Sequence, residues 1–137
     1  MNNPVVRGIV AIVVGVLVTG TIVLAIEMLG HMVYPPPPGL DIAKPEDQAR
    51  IVAAMPTGAK VAVVVAWFFG ALGGAVVAAR IGRSPRYAWA IGALTVAMCA
   101  FSLVSIPHPV WMAISGVALP IIAAAIAIPL SRPRVSA

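Results

Sequence analysis

Residues 8–33 read GIVAIVVGVLVTGTIVLAIEMLGHMV, and one charged side chain, Glu27, interrupts them. A helix rises about 1.5 Å per residue, so a run of this length crosses a hydrocarbon core of about 30 Å with residues to spare. Three further apolar runs follow, at about 57–79, 87–106 and 110–130. Only 9% of the residues are charged and 61% are apolar, whereas soluble domains carry roughly 25% charged residues. These features predict an all-α integral membrane protein: a four-transmembrane-helix bundle forming one membrane domain over residues 1–137. The first span is expected at about 5–34, and residues 35–56 form an outer loop. The first apolar stretch is too long for the h-region of a signal peptide and shows no small-x-small cleavage site, so it is expected to remain as the first span.

Prolines set the boundaries. Tyr34 precedes Pro35, which pushes it out of the helical region and ends the first span there. Residues 35–38 are consecutive prolines, a short stiff segment without backbone donors. Farther along the loop, Pro45 suits a first helical position, with Glu46 and Asp47 in the first turn. A short amphipathic helix to about Met55 is expected, with Ala49, Ile51, Val52 and Met55 resting on the membrane surface. Pro120 is expected to kink the fourth span and Pro129 to mark its end.

The net charge of +5 is no sign of nucleic-acid binding, because the basic residues stand at span ends. With the N-terminus inside, the inner side holds Arg7, Arg80, Arg83, Arg86, Arg132 and Arg134, and the outer side holds Lys44, Arg50 and Lys60. Six against three selects that orientation by the positive-inside rule, with both termini cytoplasmic. The expected location is multi-pass, in a bacterial inner membrane. Tyr34, Tyr87, Trp89 and Trp111 fall at span ends, where amphipathic rings prefer the interface.

Polarity within the spans is one-sided. Glu27 lies seven residues before Tyr34, roughly 10 Å in from the helix end. Trp67 lies equally far from Lys60, and Cys99, Ser102 and Ser115 fall in the same outer half. A charge at membrane depth costs a few kcal/mol. Three arrangements lower that cost: a protonated Glu27, a hydrogen bond from Trp67 or His31, or a first helix that protrudes into water. Glu27 and His31 are one turn apart and share a helix face. With Trp67 and His108 they form the candidate outer-half polar site. The plainer readings are an interfacial carboxylate at Glu27, a solvated histidine at His31 and a loop residue at His108, which Pro107 and Pro109 flank. Cys99 is a single cysteine, and its plainer reading is a small apolar core residue.

The second span carries a packing signal. Ala62, Ala66, Gly70, Gly74 and Ala78 recur every four residues and include a GxxxG. Such ridges let helix backbones approach closely in lipid. Internal packing, homodimerisation and docking to another protein all remain open from sequence.

Soluble-enzyme motifs are absent: there is no phosphate loop, no GxSxG and no HExxH. The chain is therefore expected to be non-catalytic and to need no cofactor. Its expected partners are the lipid bilayer, other membrane proteins or further copies of itself. Three functions follow. The first is an accessory or structural subunit, or self-associating scaffold, of a membrane assembly. The second is a small proton-coupled transporter with Glu27 as the exchangeable acid. Four short spans with an acidic residue in the first is a layout similar to that of small multidrug exporters. No local motif is shared around Glu27, and membership is not assigned. The third is an outward-facing copper or zinc site built from Glu27, His31, His108 and Met112, since imidazole and thioether ligands suit Cu(I).

Overall fold

A computed structural model describes residues 3–41 and 43–132. Residues 133–137, including Arg134 of the charge count, lie outside the described residues. The described residues form five helices: α1 (Pro4–Val33), α2 (Pro45–Ala54), α3 (Thr57–Gly82), α4 (Arg86–Ser105) and α5 (Val110–Ser131). All except α2 are long and apolar enough to cross a membrane. No strand occurs among the described residues.

Local chemistry explains the ends. Asn3 caps α1 by accepting from the Val5 and Val6 amides at 2.8 and 3.4 Å. At the other end the Tyr34 amide still reaches the Gly30 carbonyl at 2.8 Å before the prolines stop the helix. The second long helix runs three residues beyond its expected end at Ala79. It closes through Arg83, which takes the left-handed conformation (φ 54°) while the Ser84 amide returns to the Ala79 carbonyl at 3.3 Å. The last helix continues through Pro120 and past Pro129 to Ser131, a little beyond the expected stop.

Helix α3 is the centre of the bundle. It packs against α1, α4 and α5, and α4 packs against α5. Helix α1 lies on the outside and rests mainly on α3. Its opposite face, including Ile9, Val13, Leu17, Leu24 and Met28, is uncovered, as a lipid-facing surface would be.

The small-residue ridge faces inward. Ala66, Gly70, Gly74 and Ala78 are all buried within the chain. A methyl group built at Gly70 would lie 2.6 Å from Val23 Cγ2 and 3.1 Å from the Thr19 carbonyl, both on α1. One built at Gly74 would collide with Thr19 Oγ1 and with the Gly15 carbonyl. Toward the other end, Gly30 of α1 faces Ala62. The ridge is thus the α1–α3 seam, where bare backbones meet and dispersion replaces the missing hydrophobic drive. Two threonine hydroxyls within the helix packing are satisfied locally. Thr19 donates to the Gly15 carbonyl at 3.0 Å and Thr95 to the Ile91 carbonyl at 2.9 Å.

Two clusters make the core. Nearer the arginines, Ala75, Ala78, Ala79, Ala88, Ile91 and Ala127 are close-packed. Nearer α2, Val64, Trp67, Cys99 and Met112 pack together. Cys99 is 3% exposed. Its thiol is expected to resist maleimide in mild detergent and to react within minutes once the helices are separated in denaturant. Rapid labelling of the folded protein would contradict this core.

Candidate polar chamber

At the α2 end the helices part around a cavity of about 230 Å³. Glu27 and His31 reach it from α1, Trp67 from α3 and Ser102 from α4. His108 comes from the turn before α5. The four residues expected to form an outer-half polar site therefore line one chamber. Three sequence distances explain the gathering. Glu27 and His31 occupy one face of α1, Trp67 lies at the matching depth on α3, and the short α4–α5 turn brings His108 back over the opening.

Glu27 and His31 are both half-buried and stand one turn apart on α1. No hydrogen bond joins Glu27 to the Trp67 indole among the described residues. The Trp67 ring packs instead beside Gly116, where a built methyl group would lie 3.0 Å from Trp67 Cζ3, and beside Cys99 and Met112. Its centroid lies 6.4 Å from that of His108, with the planes tilted by 55°.

His108 lies in the loop between α4 and α5, as its flanking prolines indicated. It is half-buried, and its Nδ1 lies 2.6 Å from the Ile106 carbonyl. A carbonyl only accepts, so Nδ1 carries the proton and Nε2 is the acceptor of the neutral ring. Ile106 is extended (φ −134°, ψ 130°), and this local bond folds the imidazole back toward the chamber.

The cover is α2. Its Gln48, Ile51, Val52 and Met55 line the cavity, and Ile51 is 6% exposed. These apolar side chains were expected on the membrane surface; Ile51, Val52 and Met55 close the chamber instead. Both surfaces would take the same apolar stripe, and the stiff proline run together with Pro56 directs the stripe inward. Backbone attachment is slight, since no long helix packs closely against α2. The cover is held by side chains.

Tyr34 also lines the chamber. It was assigned only to the interface, yet its hydroxyl fills the space that a side chain at Gly58 would need. The glycine at the start of α3 was the available signal.

A metal centre is not assembled. Among the described residues no three His, Cys, Asp or Glu side chains are grouped as a metal site. Met112 is 2% exposed in the core cluster, while Met28 and Met32 are exposed on the outside of α1. Thioethers and imidazoles thus face different surroundings. Compared with protein-family models, with curated proteins and with solved structures, the chain shows no match.

Proposed function

We propose that the chain is a non-catalytic accessory subunit of a membrane assembly and that the α2-covered chamber engages a partner polypeptide. The observation that carries this reading is that the chamber is blind. Its polar lining gathers at one end of the bundle. Toward the arginines Trp67 packs on Val64, Cys99 and Met112, and beyond them the bundle is filled by the close-packed alanine cluster. Apart from Trp67 and Cys99, Thr95 is the one buried polar side chain among the described residues, and its hydroxyl is taken by the Ile91 carbonyl. A carrier needs a second polar route to the far side. A docking site needs only an opening and a movable cover, which suits a helix fastened by a few side chains. The α1–α3 ridge is buried inside the chain and is not available to a partner, and this reading assigns the partner contact to the chamber and α2.

In this reading the α2 end faces outward, both termini face the cytoplasm and the host membrane is a bacterial inner membrane. The arginine asymmetry supports that orientation. A photo-crosslinking residue at Val52 is expected to capture one partner polypeptide, whereas the same residue at Ile126, on the other half of α5, captures none. Equal capture at both positions would argue against docking through the chamber.

The carrier reading keeps one observation in its favour, the Glu27–His31 pair on the chamber wall. It requires proton flux in proteoliposomes that Glu27→Gln abolishes.

A further inference from the structure

The opposite end of the bundle carries a second recess, of about 1340 Å³, between the ends of α3 and α5 and the start of α4. Arg80, Arg83 and Arg132 line it with Ser84, and Val76 and Ile128 form apolar wall. It shares no lining residue with the chamber. The Arg80 guanidinium is fixed across the helix boundary, with Nη2 donating to the Leu130 carbonyl at 2.9 Å. Most of its donors remain for another acceptor.

Among the described residues no acidic side chain stands beside these arginines. The four acidic residues, Glu27, Asp41, Glu46 and Asp47, all belong to the α2 end. Among the described residues the one ion pair, Arg50 with Asp47 at 3.9 Å, is at that end too. Interfacial anchoring explains single arginines at span ends. Three around one recess, one of them pinned to the neighbouring helix, form a cationic pocket at the edge of an apolar wall. A ligand that meets both surfaces carries a phosphate and an acyl chain. Guanidinium groups bind phosphate oxygens through paired charge-assisted hydrogen bonds, and the chain continues along Val76 and Ile128.

We infer that this recess binds the phosphate headgroup of an anionic phospholipid. The inference stands apart from the chamber and from any partner bound there. Each arginine near an anionic headgroup contributes about fivefold in affinity.

The test is native mass spectrometry of the full chain in mild detergent. Dioleoylphosphatidylglycerol, dioleoylphosphatidylcholine and inorganic phosphate are titrated separately. The wild type is expected to retain the anionic lipid and to bind the zwitterionic lipid far more weakly. Arg83→Gln with Arg132→Gln leaves the Arg80–Leu130 bond intact and should weaken retention about 25-fold. Arg132→Gln alone, at the end of α5 and outside the helix packing, should weaken it about fivefold. Lys44→Gln with Arg50→Gln, at the other end, should change nothing. Circular dichroism verifies that each variant is folded, and the single variant decides the matter if the double one is not. Undiminished retention by Arg132→Gln and by the folded double variant would overturn the inference, as would equal binding of the zwitterionic lipid. Inorganic phosphate that displaces the lipid at parity would overturn it too, by making a soluble phosphate compound the ligand.

Discussion

Gly74→Leu is expected to open the bundle. The seam at this point is backbone against backbone, since even a methyl group would strike Thr19 Oγ1 and the Gly15 carbonyl. Neither obstacle is the free end of a flexible chain. Thr19 Oγ1 is tied to Gly15 by its own hydrogen bond, and the carbonyl belongs to α1 itself. Helices α1 and α3 must therefore separate along their length, and α1 has little else to hold it. Overpacking costs about 1–3 kcal/mol, and a rigid backbone obstacle puts this site at the upper end. The expected result in mild detergent is a lower unfolding temperature, a broadened elution profile and a Cys99 that maleimide now reaches. Gly20→Leu, on the facing helix α1, is the control. No atom lies within 4 Å of a methyl group built there, so the variant is expected to behave as wild type. If both leucine variants melt alike, the seam is misplaced.

Trp67→Ala should have the second largest effect. The indole is 7% exposed and fills the space between Val64, Cys99, Met112 and Gly116. Its removal leaves a hole continuous with the chamber, at a cost of about 3 kcal/mol. In lipid this cost is chiefly lost dispersion, because acyl chains solvate an exposed side chain as well as the core does. Fluorescence provides a separate readout. Trp89 and Trp111 are 46% and 39% exposed on the outside of the bundle, where brominated lipid quenches them. Trp67 should supply the unquenched remainder. Trp67→Ala should abolish that remainder and speed Cys99 alkylation. A remainder that survives would place Trp67 at the lipid surface.

The four spans were legible because bilayer thickness and proline chemistry leave few choices. Two of the four long helices start where expected, at Thr57 and Val110, and the other two start one residue earlier, at Pro4 and Arg86. The clear exception is the end of α3. The residues at 80–82 looked like a basic turn, but they carry the helix to Arg83, whose left-handed conformation closes it. The ridge on α3 was legible from its four-residue repeat. Its partner was not, because α1 is apolar on every side and no polar face marks which stripe is buried. Gly15 and Thr19 were present in the sequence, but their meaning depends on the seam they meet.

The candidate site followed the same division. Depth counting placed Glu27 and Trp67 at one level, with His31 one turn nearer the helix end, and all three line one chamber. The side-chain partners were less legible, since rotamers depend on neighbours that sequence spacing does not fix. Trp67 packs on Gly116 and His108 rather than bonding Glu27. His108 is the loop residue its proline neighbours indicated, but its ring bonds the Ile106 carbonyl and lines the chamber, which spacing alone did not fix.

The central claim is that the blind chamber makes this chain a subunit rather than a carrier. The most direct test extracts the protein from its own membrane in mild detergent and resolves it by native gel and mass spectrometry. The expected result is a reproducible, stoichiometric second polypeptide that is lost when bulky residues fill the chamber, as in Ser102→Trp. A monomer or a homo-oligomer with no second polypeptide would contradict the claim.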